Sequence, residues 1–179
     1  MSAETVRGGA CQTRDATLAR PTVLIVDDSR EEINLCEFIL NSACRVVGAT
    51  SGRDGLRLAA EEDPDLILVD QRLGRRDGFE VCRRLIEAVA TRNIPIVILG
   101  SAADEEGHST AAGLGLVDYI SKPLIPAYFS KRVQTLLEKY AGRINRCARC
   151  LRPMQQDWKF CPYDGSPLPP LAGKKPRDN

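Results

Sequence analysis

Long apolar runs are missing from this chain of 179 residues. The longest is four or five residues, against the roughly eighteen that a membrane-spanning helix needs, so no membrane partner is expected. An excess of one charge is missing too: 25 Lys and Arg face 24 Asp and Glu, a net +1. That excludes a chain that binds nucleic acid through bulk positive charge and leaves only local patches open. The opening "MSAETVRGGACQTRDATLARP" has no apolar segment of the kind a secretory signal carries. It lacks periodicity as well, and residues 1–20 are expected to be a disordered tail. Without an export signal, the expected setting is a reducing cytoplasm, where thiols stay free or hold metal instead of pairing. There is no internal repeat.

What the chain does have is alternation. Five short runs rich in Val, Ile and Leu occupy 23–27, 45–49, 66–70, 95–99 and 117–120. Being apolar at nearly every position, they read as strands covered on both faces, as in a parallel sheet. Helical spacing fills the gaps. The first helix opens on Ser29 with Glu32 three residues on, a capping box, and aligns Ile33, Cys36 and Leu40. "SGRDGLRLAAEED" follows and is halted by Pro64; "GFEVCRRLIEAVA" aligns Val81, Leu85 and Ala88. A weaker helix spans about 104–113, and a last one, 126–140, aligns Phe129, Val133, Leu136, Leu137 and Tyr140 before Gly142. Right-handed crossovers make this a doubly wound α/β fold with a five-stranded parallel sheet in the flavodoxin-like order 2-1-3-4-5. Cys36 and Cys82 fall on apolar helical positions and read as core filler.

Three of these strands end on acid or base. "VLIVDD" closes on Asp27 and Asp28, "LILVD" on Asp70, and "YISKP" brings Lys122. Ligands of open α/β sheets bind beyond the carboxyl ends of the strands, where the strand order reverses. In the expected order the first and third strands are neighbours, so three carboxylates share one cleft. A strand-end acid is also a common helix N-cap, but three together repel unless something positive relieves them. A hard divalent cation with oxygen ligands, Mg²⁺, suits that role. With Lys122 on the same rim, the group accommodated is a phosphoryl, and Asp70 becomes the nucleophile that would form an acyl phosphate.

On "VLIVDDS", "LILVDQRLGRRDGFE", "IPIVILGSA" and "VDYISKP", residues 21–141 resemble a receiver domain of a two-component response regulator. The resemblance implies that Asp27 and Asp28 are the acidic pair, that Asp70 is the phosphoacceptor and that Lys122 contacts the phosphate. It implies a Mg²⁺ ligand in the backbone carbonyl of Arg72, a cis bond before Pro123, a switch aromatic in Tyr119 and a loop at Asp77-Gly78. It implies a sensor histidine kinase as phosphoryl donor, and output through the face of the last two strands and helices to a downstream protein of unknown identity. One position departs from the pattern. Receivers carry Thr or Ser at the end of the fourth strand, and here ungapped counting gives Gly100, with only its backbone to offer. Ser101 is next to it, but alternation along a strand turns a neighbour away from the pocket. Either a bulge lets Ser101 serve, or phosphate couples poorly to Tyr119. His108, the sole histidine, reads as a surface residue with no relay role.

Beyond 142 the composition changes. Cys147-x2-Cys150-x10-Cys161-x2-Asp164 presents two knuckles whose ligands lie three apart, the arrangement of a tetrahedral Zn²⁺ site with Asp164 as fourth ligand. It resembles the short zinc-ribbon modules appended to many bacterial proteins, with Trp158 and Phe160 expected to pack over the site. The expected organisation is thus a tail (1–20), a receiver (21–141), a zinc-ribbon-like module (142–168) and a disordered basic tail (169–179). From 141 onward eight Lys or Arg face three Asp, +5, leaving −4 on residues 1–140. That patch leaves nucleic-acid contact open beside protein contact and a merely solvated face. A helix-turn-helix, methylesterase or cyclase-like output region does not fit in the remaining length. The expected function is a phosphorylation-dependent signalling switch, not an enzyme. The alternatives are a receiver-fold adaptor that does not switch and a metal-dependent phosphatase; the adjacency of Asp27 and Asp28, in place of a D-x-D, weighs against the last.

Overall fold

The computed structural model describes residues 20–74, 76–140, 144–154 and 158–168. All but the last residue of the expected N-terminal tail, the boundary at Gly142 and the basic stretch 169–179 lie outside them. In chain order the main elements are β1 (Thr22–Val26), α1 (Arg30–Leu40), β2 (Arg45–Ala49), α2 (Gly52–Glu62), β3 (Leu66–Asp70), α3 (Gly78–Glu87), β4 (Ile96–Ser101), α4 (Glu105–Gly113), β5 (Asp118–Lys122) and α5 (Pro126–Tyr140). The five strands form one parallel sheet in the order β2-β1-β3-β4-β5. β4 and β5 run two residues further than the apolar pattern implied, because Gly100, Ser101, Ser121 and Lys122 still pair across the two strands.

Strand alternation divides the core between two faces. Leu24, Val26, Ile67, Val69, Ile96 and Ile98 turn to one side, where Ala59 of α2, Phe79, Val81, Cys82 and Leu85 of α3 and Ala111 of α4 cover them. Val23, Ile25, Leu66, Leu68, Val97, Leu99 and Ile120 turn to the other, under Ile33, Cys36 and Leu40 of α1 and Phe129, Val133 and Leu136 of α5. Each fully buried aliphatic side chain contributes about 1.5–3 kcal/mol, which is why the strands need no polar face. Cys36 and Cys82 lie in this core with their thiols pushed up by burial, Cys36 to about 12. Ala88, expected on the buried stripe of α3, is instead its exposed C-cap.

Four helices start on a side-chain cap: Ser29, Ser51, Asp77 and Asp104 accept from Glu32, Asp54, Phe79 and Gly107. Two short antiparallel pairs were not legible in the sequence. Arg72–Leu73 pairs with Arg76–Asp77 just after β3, and Asn145–Arg146 pairs with Pro153–Met154 after α5. Among the described residues no helix is long and apolar enough to cross a membrane.

The turn after β3 depends on Gly78. An added Cβ there would stand 2.0 Å from the Asp70 carbonyl oxygen and 3.1 Å from the Gln71 Cα, both backbone. Gly78→Ala is therefore expected to lower stability by about 2–4 kcal/mol in urea denaturation. Gly113→Ala, at a position with nothing within 4 Å, should be neutral or stabilising by up to about 1 kcal/mol.

Candidate functional site

β1 ends at Val26, and the next residue, Asp27, is held by two backbone bonds. Its N–H donates to the Ala49 carbonyl at 3.1 Å and its Oδ1 accepts from Ser29 N at 2.9 Å. Asp27 is 2% exposed and Asp70, at the end of β3, is 8% exposed, whereas Asp28 faces solvent. Oxygens of all three lie within 4.8 Å of one another. Asp28 also lines a cavity of about 920 Å³ between α2 and α3 with Arg53, Leu73 and Asp77, so the cluster is open on that side.

Lys122 closes the other side. Its Nζ donates to Asp70 Oδ1 at 2.9 Å and Asp27 Oδ2 at 3.1 Å, with Glu32 Oε2 at 3.8 Å. Burial pushes the Asp70 carboxyl above its ordinary value; the Lys122 ammonium and the Arg72 N–H, which donates to Oδ2 at 3.0 Å, oppose this only in part. Lys122 behaves the other way: burial acts to lower it, but Asp70 and Asp27 together hold it above its ordinary range. The Lys122-Pro123 bond is cis. Glu32 escaped the sequence argument, which gave it only the capping role. Its position one helical turn beyond Asp28 was the available signal.

Gly100 has a neighbour the sequence did not announce. An ideal Cβ on Gly100 would lie 2.2 Å from the Tyr119 hydroxyl oxygen and 2.3 Å from Gln71 Oε1. The tyrosine hydroxyl thus fills the space a side chain at 100 would need, its one proton shared between Gln71 Oε1 at 2.8 Å and Ser101 O at 2.9 Å. The Gln71 amide in turn donates to Asp104, the cap of α4. His108 is exposed as expected, yet its ring stacks on Tyr119 with centroids 3.8 Å apart. Ser101 is exposed, and its hydroxyl accepts from Ala103 N at 3.3 Å, in the turn that follows β4. Gln71 and Asp104 were both missed, since nothing local links residues 33 apart.

A known family shares this arrangement. The sequence model of the response regulator receiver domain matches residues 23–134. This chain belongs to that family. The receiver is 34% identical over 120 residues to the transcriptional regulatory protein AfsQ1 of Streptomyces coelicolor, covering 66% of this chain and 52% of that one. It is 36% identical over 117 residues to the response regulator PleD of Caulobacter vibrioides, covering 64% and 25%. The chain thus spans about half, or less, of the length of these two curated relatives. Among solved structures, a putative response regulator from Chloroflexus aurantiacus superposes with a TM-score of 0.62 at 30% identity, covering 66% of this chain and 98% of that one. The receiver domain of the sensor histidine kinase PA1611 from Pseudomonas aeruginosa, determined with a magnesium ion coordinated in its active-site cleft, superposes with 0.60 at 27%, covering 67% and 99%.

Past the receiver match, Cys147, Cys150, Cys161 and Asp164 gather their ligand atoms within 4.8 Å of one another. One backbone device is used twice. Cys147 N–H donates to Arg152 O and Leu151 N–H to Cys147 O; likewise Cys161 N–H donates to Ser166 O and Gly165 N–H to Cys161 O. Leu151 and Gly165 both have positive φ, 57° and 71°. The first loop turns two N–H groups, of Arg149 and Cys150, toward Cys147 Sγ at 3.4 and 3.5 Å. In the second, Ser166 N donates to Asp164 Oδ1 at 2.9 Å, and the hydrogen bonds from Ser166 hold that carboxyl well below the usual range. Trp158 packs against the cluster as expected, but Phe160 does not: its backbone bridges Pro167, which leaves the ring 64% exposed.

The electrostatics of Asp70 have a measurable consequence. Because burial raises its folded value above the unfolded one, the fold binds the extra proton between those two pH values. Stability contributed at Asp70 therefore falls as pH rises through that window and stays low at neutrality. With divalent cations chelated, Asp70→Asn should raise Tm by a few °C at pH 7. The gain should vanish below the ordinary carboxylate range, as followed by thermal denaturation across pH.

Proposed function

We propose that this receiver takes a phosphoryl group from the phosphohistidine of a sensor histidine kinase onto Asp70, and that its signal leaves through the face formed by β4, α4, β5 and α5. The observation that carries this is the contact of Lys122 with both Asp70 and Asp27 in a cluster of three carboxylates. An Asp70 oxygen forms the new P–O bond as the P–N bond to the histidine breaks, its electron pair staying on the imidazole nitrogen. Lys122 then balances charge that has moved from the carboxylate onto the phosphoryl oxygens. The oxygen donors fit Mg²⁺, with Asp27, Asp28, Asp70 and the Arg72 carbonyl to hold it; bound there, it would offset negative charge on the transferred group. The downstream partner is another protein. Nucleic acid is the lesser candidate, because one of the basic residues beyond 141, Arg146, is buried and unavailable to a surface patch.

A second reading is favoured by the placement of Tyr119. With its hydroxyl beside Gly100 and bonded to Gln71 and Ser101, the aromatic is held inward by groups of the protein itself. The output face would then bind its partner without waiting for Asp70, as an adaptor does. Acetyl phosphate with Mg²⁺ should add one phosphoryl group to the wild-type chain and none to Asp70→Ala, read by intact mass. Beryllofluoride should then separate the readings. Changed amide exchange in 101–122 supports the switch, and unchanged exchange despite binding supports the adaptor. Steady phosphate release from small phosphoesters would replace both with a phosphatase.

The cysteine cluster is assigned Zn²⁺ within a zinc-ribbon-like module. Three thiols and a carboxylate on paired knuckles support this, as does the size of the local core. Its cluster of buried hydrophobic residues is Cys147, Met154 and Cys161, too few to hold a fold alone. The purified reduced chain should carry one zinc per molecule by elemental analysis, and a chain ending at residue 141 should carry none.

A further inference from the structure

Arg146 is 2% exposed, and among the described residues its side-chain partners are backbone carbonyls. Its Nε donates to Arg92 O at 2.9 Å, Nη1 to Leu151 O at 3.0 Å and Leu114 O at 3.4 Å, and Nη2 to Gly115 O at 2.8 Å. Burial lowers its pKa to about 10. A buried cation is costly unless its donors are met. Here they are met by four carbonyls from three separate segments. Two of those carbonyls, of Leu114 and Gly115, are the C-terminal end of α4, where a positive charge is favourable. The same end is packed from the same hairpin: a Cβ on Gly115 would stand 2.4 Å from Pro153 Cδ. Ile144 N–H adds a bond to Asn93 O at 2.7 Å.

Arg146 directly precedes Cys147, and Leu151, which accepts from it, directly follows Cys150. The loop that brings two of the four cluster ligands together is therefore the loop that aims the guanidinium. At its other end α4 begins on Asp104, bonded by Gln71, the residue after Asp70. One nine-residue helix thus runs from the neighbour of the phosphoacceptor to the neighbour of the first cysteine ligand.

We propose that metal occupancy of the Cys147, Cys150, Cys161 and Asp164 cluster is a second input to this receiver, acting through Arg146 on α4 and hence on the β4-α4-β5 face. The proposal rests on the Zn²⁺ assignment above. With so little apolar core of its own, the module draws its order from the metal. Loss of the metal loosens the 147–151 loop, withdraws Arg146 from the carbonyls of Leu114 and Gly115 and frays the last turn of α4. The input needs no phosphoryl group, so it can set the output face independently of Asp70.

The test is amide hydrogen exchange on the full-length reduced chain, zinc-loaded against chelator-stripped, with zinc content measured on each sample. Stripping should speed exchange in residues 108–117 by about tenfold or more and leave α1 and α2 unchanged. Arg146→Gln should still bind one zinc, yet show fast exchange in that segment with or without it. Gly115→Ala attacks the same contact from the receiver side and should behave alike, which covers the case where Arg146→Gln fails to fold. Zinc bound with no effect on 108–117 overturns this proposal and leaves the zinc assignment standing. So does zinc-dependent protection that persists in both variants. A chain that binds no zinc overturns both.

Discussion

Confining Asp27, Asp28 and Asp70 to one edge of a parallel sheet creates a charge problem that the rest of the receiver is arranged around. β1 and β3 lie side by side because the hydrophobic pattern demands a doubly wound sheet, and their ends converge on the cleft as a consequence. Two of the acids are nearly buried, so water cannot screen them. The ammonium of Lys122, delivered by β5 from the far side, keeps the cluster compatible with a stable fold. An ion pair of that kind offsets a desolvation cost more than it adds stability. Under the proposed function, a divalent cation and a phosphoryl group would redistribute the contacts that Lys122 makes.

Around this centre, the loops that leave β1, β3 and β4 are held by a cap or a close backbone approach. Ser29, Asp77 and Asp104 start the helices that leave the site, and Gly78 brings its own backbone against the Asp70 carbonyl. The linkage continues outward. Gln71 ties the end of β3 to α4, Tyr119 ties β5 to β4, and Arg146 ties the far end of α4 to the cysteine-bearing hairpin. No single bond here is strong, since a net hydrogen bond contributes about 1 kcal/mol. Together they tie both ends of α4 to neighbouring segments.

The departure at Gly100 shows how one missing side chain alters a site. With no Cβ, the fourth strand leaves a space at the level of the cleft. Tyr119 and Gln71 occupy it together, and His108 covers the ring from α4. The Tyr119 hydroxyl stands where a side chain at position 100 would otherwise be. Ser101, the nearest sequence candidate, spends its own hydroxyl on the turn to α4, as alternation along the strand required.

Much of this was open to inspection in the linear chain. Period-two and period-3.6 patterns depend on neighbours a few residues away, so they located the strands, the helices, the acidic strand ends and the two knuckles of the tail. Lys122 and Asp70 were legible for the same reason, as polar groups ending apolar runs. Tertiary structure alone decided the filling of the space beside Gly100, the burial of Arg146 and the exposure of Phe160. Each depends on contacts between segments distant in sequence, whose approach is set by how helices seat on the sheet. No local periodicity carries that information, because the same residue serves equally well on the surface until the fold places a neighbour against it.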